Sequence, residues 1–92
     1  AARTRALKRL SGWTLAEDGL SISRSYRFAD FIAAFGFMSS AALIAQQMDH
    51  HPEWFNVYGR VDVRLTTHDA GGLTQKDIDL ARAMDTRAGA AR

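Results

Sequence analysis

Two segments of the chain alternate between apolar and polar side chains, and this period of two predicts half-buried antiparallel strands. One segment covers residues 21–28 and the other residues 61–67. The apolar positions that share a face are Ile22, Tyr26 and Phe28 in the first segment and Val61, Val63 and Leu65 in the second. Arg24 interrupts the apolar face of the first strand, so this face carries one charged side chain.

A different period, with apolar side chains three and four residues apart, follows Asp30 and predicts a helix that runs to about His50. Asp30 can cap its N-terminus, and Pro52 disfavours helical geometry at His51 and so ends it. The apolar stripe consists of Phe31, Ala34, Phe35, Met38, Ala42, Ala45 and Met48, widened by Phe37, Ala41 and Ile44. A helix that is apolar over this much of its circumference must bury both sides, and another subunit could cover the second.

Shorter signals predict the remaining elements. In the first half of the chain they are a helix at 2–10 ended by Ser11-Gly12, a strand at 13–15 and an Asp18-Gly19 turn. In the second half they are a strand at 54–58 and a Gly59-Arg60 turn. The last helix is opened by a Thr74-to-Asp77 capping box and frays at 88–90. The expected order is therefore helix, two strands, helix, two strands, helix. A chain of 92 residues has room for one domain, spanning 1–92.

Composition narrows the classes of function. The net charge is +2, and seven of the twelve lysines and arginines lie near the two ends of the chain, away from most of the aromatics. A nucleic-acid-binding domain would combine basic and aromatic residues on one element, so direct nucleic-acid binding is not expected. The chain has no cysteine, which excludes disulfides and thiolate chemistry. No apolar run reaches the roughly 18 residues of a membrane span, so we expect a cytoplasmic protein without membrane contact.

The candidate chemistry lies in the three histidines, His50, His51 and His68. Histidine exchanges protons near neutral pH, so this grouping suggests proton transfer. His51 must point away from its neighbour because Pro52 favours extended geometry there, and the pair can border one pocket from two directions. By parity His68 lies on the polar face of its strand, available to solvent. Asp69 and Asp77 could each orient an imidazole.

Each of these residues could also have a role unrelated to proton transfer. A zinc site would need histidines three or four residues apart on a helix, so the adjacent pair argues against a metal. His51 could merely cap the helix, and His68 could be an exposed strand end. Asp77 is accounted for structurally as the acid of the capping box. No serine-nucleophile or phosphate-binding motif is present.

The residues around the histidines resemble the signature of the pterin-4a-carbinolamine dehydratases. The matching segments are Asp49-His50-His51-Pro52-Glu53-Trp54-Phe55-Asn56-Val57-Tyr58, Thr67-His68, Gly72-Leu73-Thr74 with Asp77, Gly12-Trp13, and Phe28 to Met38. The resemblance covers roughly residues 12–81, and no signature position departs from it. It implies a two-layer α+β fold in which a four-stranded antiparallel sheet carries helices on one face, in the order α-β-β-α-β-β-α.

The resemblance also implies an activity, that of a 4a-hydroxytetrahydrobiopterin dehydratase. Such a hydro-lyase converts the pterin carbinolamine left by aromatic amino acid hydroxylases to quinonoid dihydropterin, without metal or other cofactor. Carried onto this chain, His50 and His68 would transfer protons and His51 would bind the ring. Asp77 would line the site and could orient His68, while Trp54 would flank the ring or belong to the core.

The broad apolar face of the long helix also predicts a homo-oligomer, either a dimer or a tetramer. The family resemblance also implies an alternative function, because some members serve as dimerisation modules for a homeodomain-type transcription activator.

Overall fold

The computed structural model describes residues 10–91, which form a sheet layer and a helix layer. The elements are β1 (Thr14–Leu15), β2 (Ile22–Arg27), α1 (Phe31–Met48), β3 (Glu53–Val57), β4 (Arg60–Leu65), a 3₁₀ turn (His68–Ala70) and α2 (Gln75–Ala91). The strands form one antiparallel sheet in the order β1-β2-β4-β3. This confirms the predicted α+β class. The helix expected at 2–10 lies outside the described residues, apart from Leu10, which is buried.

The two central strands supply the sheet side of the core, as their alternation predicts. β2 and β4 pair with Ile22 opposite Leu65 and Tyr26 opposite Val61. These four side chains are at most 1% exposed, and they pack with Phe37 of α1 in one hydrophobic cluster. The residues between them along the strands point to the other face of the sheet, which no helix among residues 10–91 covers.

The C-terminus of α1 differs from the prediction in its position and its cause. The helix ends at Met48, because Asp49 adopts a left-handed conformation with φ of 50° and ψ of 43°. The backbone N–H of His50 then donates to the carbonyl of Ala45 at 3.0 Å. The helix therefore ends two residues earlier than the expected end at His50. Pro52 lies after this turn and does not cause it. At the other end Asp30 caps as predicted, accepting from the N–H of Ala33 at 2.8 Å.

The inward face of α1 is narrower than the predicted stripe. Its buried residues are Ala34, Phe37, Ala41 and Ala45, which are three small side chains and one aromatic. Four large apolar side chains remain exposed, namely Phe31 at 48%, Ile32 at 81%, Phe35 at 55% and Leu43 at 71%; we call them the outer face of α1. Contrary to the sequence expectation, α1 is long and apolar enough to cross a membrane by length and composition alone.

Several element boundaries also shift. The β3–β4 turn lies at Tyr58 and Gly59, with Tyr58 at φ of 50°, one residue earlier than predicted. β4 ends at Leu65, so His68 belongs to the 3₁₀ turn and not to a strand. α2 continues to Ala91 without the predicted fraying at 88–90.

Asp85 of α2 ties the helix layer to the first half of the sheet. Its carboxylate accepts hydrogen bonds from Trp13 Nε1 at 3.0 Å and from Arg24 Nη1 at 3.0 Å, and also from the hydroxyl of Tyr26. The Arg24 guanidinium lies 4.8 Å from the centre of the Tyr26 ring. The charged interruption in β2 thus serves packing between layers, remote from the histidines.

Candidate active site

Three segments distant in sequence meet at one end of the sheet. They are the turn after α1, the loop after β4 and the first turn of α2. Together they enclose a pocket of about 250 Å³ lined by Asp49, His50, His51, Thr66, Thr67, His68, Asp69 and Lys76. All three histidines of the chain therefore border one space, as the hypothesis of a shared site requires.

His50 is held by a carboxylate inside the protein. Its Nε2 lies 2.6 Å from Oδ1 of Asp77, and the two side chains are 8% and 0% exposed. An ionised carboxylate can only accept, so Nε2 of His50 carries the shared hydrogen. Asp77 thus orients His50, whereas the family resemblance had suggested that it could orient His68.

The second oxygen of Asp77 is equally engaged. Oδ2 accepts from the Thr67 hydroxyl at 2.8 Å and from the backbone N–H of Thr74 at 2.9 Å. The latter bond is one half of the predicted capping box, since the side chain near the helix start reaches back to the N–H of the cap residue. The carboxylate that caps α2 is therefore the same one that fixes His50.

His51 and His68 are exposed and have different partners. Nε2 of His51 lies 2.8 Å from Oε1 of Gln46, one turn back on α1. Nε2 of His68 lies 3.2 Å from Oε2 of Glu53, and the side chain of His68 is 79% exposed. The same oxygen of Glu53 accepts from Arg64 Nη1 at 2.7 Å.

The three rings share one mode of attachment. In each case Nε2 faces an acceptor oxygen, and Nδ1 has no hydrogen-bond partner within residues 10–91. Nδ1 is consequently the nitrogen free to meet a ligand. A neutral ring would offer a lone pair there and a charged ring a proton, so the arrangement suits general acid–base catalysis.

Trp54 lies apart from this pocket. Its side chain packs against the hydrophobic core, and the residue borders a larger depression of about 360 Å³ on the sheet together with Phe55, Asp62 and Arg64. No histidine borders that depression, so the candidate acid–base residues lie at the smaller pocket. Among residues 10–91, no group of three or more His, Cys, Asp or Glu side chains is arranged to hold a metal ion.

Sequence reasoning had not assigned a role to several residues of the site. The sequence offered a signal for Thr67, because this residue continues the alternation of Val61, Val63 and Leu65. Its hydroxyl is therefore expected to point toward the helices. Gln46 and Lys76 gave no comparable signal. Whether a helix-surface side chain reaches a neighbouring loop depends on how α1 and α2 pack.

Comparison with known proteins agrees with this geometry. Residues 1–87 match the family model described as pterin 4 alpha carbinolamine dehydratase. A relative in Rhizobium rhizogenes, which carries the provisional name pterin-4-alpha-carbinolamine dehydratase, is 66% identical over 79 residues, covering 86% of this chain and 78% of its own. A protein of Novosphingobium aromaticivorans with the same provisional name is 59% identical over 86 residues, covering 94% of this chain and 90% of its own.

A solved structure is similar as well. The crystal structure described as a transcriptional coactivator/pterin dehydratase from Brucella melitensis superposes with a TM-score of 0.90 at 52% identity, covering 95% of this chain and 93% of that one. The family match, which runs from the first residues into α2, includes every histidine of the pocket. The chain therefore belongs to the pterin 4 alpha carbinolamine dehydratase family.

Proposed function

We propose that this protein catalyses the dehydration of 4a-hydroxytetrahydropterin to quinonoid dihydropterin, acting as a hydro-lyase in the recycling of the cofactor of aromatic amino acid hydroxylases. The observation that carries the proposal is the convergence of His50, His51 and His68 on one pocket of about 250 Å³. A pocket somewhat below the common range of about 300–1,000 Å³ for ligand sites suits a small bicyclic ring.

The reaction needs two proton transfers. The bond between ring carbon 4a and its hydroxyl breaks as a proton arrives on the departing oxygen, which leaves as water. The neighbouring ring nitrogen loses its proton, and the electron pair forms the new carbon–nitrogen double bond. General acid–base catalysis of such steps typically contributes about 10²–10⁴-fold, and no metal or other cofactor takes part.

The environments of the histidines support a division of roles. His50, fixed by buried Asp77, is the main acid–base group, and His68 is the second proton-transfer group on the other side of the ring. His51 binds and positions the pterin. Because the three rings border one site, we assign the reaction to the set without separating proton donor from proton acceptor.

The test is an assay of the purified protein with 4a-hydroxytetrahydropterin produced in situ by an aromatic amino acid hydroxylase. The wild type should consume the carbinolamine faster than buffer alone, and His50→Ala should lower turnover by at least about 10²-fold with an unchanged circular dichroism spectrum. A wild-type rate equal to the spontaneous one would refute the activity, and full activity of His50→Ala would refute the role of His50.

We also propose a homo-oligomer formed through the outer face of α1. The four exposed apolar side chains of this face lie along one helix, and contiguous apolar surface of this kind marks association sites on soluble proteins. A second copy presents the same face, so two copies can bury these apolar side chains against each other. The cytoplasmic location expected from the sequence stays a prediction.

A second candidate function is that of an interaction module for a transcription activator. The same outer face of α1 supports it, as does the coactivator description of the protein from Brucella melitensis. Mixing the protein with a helical activator segment and weighing the products by native mass spectrometry tests it. Mixed species would support the module, and a homo-oligomer that never exchanges subunits would count against it.

A further inference from the structure

Thr67 connects the two parts of the pocket that carry His50 and His68. It lies directly before the 3₁₀ turn His68–Ala70 and lines the pocket. Its side chain and its backbone bond to different parts of the site.

The side chain of Thr67 belongs to a hydrogen-bond chain with one direction. Its hydroxyl donates to Oδ2 of Asp77 at 2.8 Å, and its oxygen lies 2.8 Å from the hydroxyl oxygen of Thr74. Because a hydroxyl has one hydrogen and the carboxylate can only accept, Thr67 must accept from Thr74. Thr74 thus donates to Thr67, Thr67 donates to Asp77, and Asp77 accepts from His50 on its other oxygen.

This chain determines where the His50 ring can lie. Asp77 is 0% exposed, so water cannot replace a lost donor, and the plane of the carboxylate is set by the donors on each oxygen. Without the Thr67 hydroxyl, Oδ2 would keep only the backbone N–H of Thr74, and the carboxylate could rotate. His50 would rotate with it.

The backbone of Thr67 closes the loop that carries His68. Its N–H donates to the carbonyl of Gly72 at 3.0 Å, and its carbonyl accepts from the N–H groups of Gly72 at 3.2 Å and Ala70 at 3.1 Å. The His68 side chain is 79% exposed. The position of the His68 backbone is therefore set by this loop closure and not by burial.

We propose that Thr67 is a positioning residue that sets the distance between His50 and His68: its hydroxyl orients His50 through Asp77, and its backbone anchors the loop of His68. The inference rests on the proposed dehydratase function only for its effect on turnover. Its effect on the two histidine rings is independent of that function.

The experiment compares Thr67→Val, which keeps the shape and loses the hydroxyl, with Thr67→Ser, which keeps the hydroxyl. Thr86→Val is the matched control, because the Thr86 hydroxyl also makes one hydrogen bond, to the carbonyl of Arg82 at 3.1 Å on the exposed side of α2. Misplacement of a catalytic group by about 1 Å can cost about 10²-fold. Thr67→Val should therefore lower kcat by about 10- to 100-fold with little change in KM, whereas the other two variants should stay near wild type.

Nitrogen-15 NMR of the histidine rings supplies the second readout. Thr67→Val should speed the solvent exchange of the His50 Nε2 hydrogen and shift the ring resonances of His50, and Thr67→Ser should restore them. The His68 resonances should stay in place in both variants, because the backbone bonds that hold its loop are kept. Thr67→Ala is prepared in parallel, so that failure of the valine variant to fold leaves a second test. An unmoved His50 signal in a folded variant lacking the hydroxyl, or no rescue by serine, would overturn the proposal. If the wild type shows no turnover, the dehydratase assignment fails while the NMR result still decides the role of Thr67.

Discussion

Nε2 of His50 and Oδ1 of Asp77 lie 2.6 Å apart, although 27 positions separate the two residues in the sequence. The end of α1 supplies the ring and the first turn of α2 supplies the carboxylate. Because Asp77 also caps α2, the position of the helix start and the orientation of the imidazole depend on the same side chain. Changes at Asp77 should therefore affect stability and activity together.

Replacement of Asp77 by asparagine tests this link. Asparagine offers one acceptor oxygen where aspartate offers two. Either a donor among His50, Thr67 and the Thr74 N–H loses its partner, or the His50 ring must change tautomer to accept from the amide. Loss of hydrogen bonds to a buried carboxylate costs about 1–3 kcal/mol, and turnover should fall by at least about tenfold. Urea unfolding followed by circular dichroism, together with the dehydratase assay, measures both effects. Asp79→Asn, an exposed acid on the same helix whose bond is to the Gln75 side chain, should change the free energy of unfolding by less than about 0.5 kcal/mol.

Glu53→Gln tests the support of His68. The Glu53 carboxylate faces the exposed His68 ring. Exposed charge pairs contribute about 0.2–1 kcal/mol to stability. We expect kcat/KM to fall about two- to fivefold at low ionic strength. Salt screens exposed charges, so the difference from wild type should shrink at about 1 M salt, which steady-state assays at two salt concentrations would reveal.

The control for Glu53 is Asp62→Asn. Asp62 is also a partly exposed acid of the sheet, with Arg60 Nε at 3.3 Å, and it does not line the histidine pocket. An Asp62 variant that lost as much activity as Glu53→Gln would attribute the effect to the sheet and not to His68.

Leu43→Glu tests the outer face of α1. Leu43 is 71% exposed, so a charge there should leave the fold of one subunit intact while opposing burial of the face between copies. Sedimentation velocity should show a smaller particle than the wild type. Leu15→Glu, which changes an apolar residue of β1 that is 50% exposed, should keep the wild-type mass. If Leu43→Glu sediments like the wild type, copies associate through some other surface.

Gly59→Ala tests the turn between β3 and β4. A Cβ atom at this position would lie 2.5 Å from the carbonyl oxygen of Phe28, and the Gly59 carbonyl also accepts from the Phe28 N–H at 2.7 Å. Relief of the clash must move backbone, so we expect a loss of about 1–3 kcal/mol in denaturant unfolding. Gly89→Ala, where a Cβ would meet nothing within 4 Å, should instead be neutral or stabilise α2 by up to about 1 kcal/mol. Equal losses in both variants would exclude a steric cause.

The parts of the fold that follow local rules were predictable from the sequence. The inward positions Val61, Val63 and Leu65 are buried as their parity indicates, and Asp30 caps α1 where the polar-to-apolar change predicts it. Each of these depends on a few neighbouring residues, so no knowledge of packing was needed. The end of α1 was not predictable in the same way, because a non-glycine residue such as Asp49 adopts a left-handed conformation only uncommonly.

The candidate site was predictable in its residues and less so in its contacts. The tandem histidines and His68 do border one pocket, but the partners depended on tertiary packing. The packing of α2 brings Asp77 to His50, and the position of β3 beside the loop after β4 brings Glu53 to His68. Parity along β4 could not locate His68, since the strand ends at Leu65 and a 3₁₀ turn follows. Trp54, expected to flank the ring or to join the core, packs on the core, and its contribution to substrate binding stays a prediction.

Because Asp77 lies in the first turn of α2 and holds the His50 ring, the site is complete only after α2 has packed against the rest of the protein. If the strands pair through Leu65 before α2 docks, the chain would already contain β-structure while the His50 ring still lacked Asp77. Acquisition of turnover during refolding should therefore lag behind the strand signal and coincide with attachment of the last helix, which makes enzymatic rate a reporter of the final assembly step.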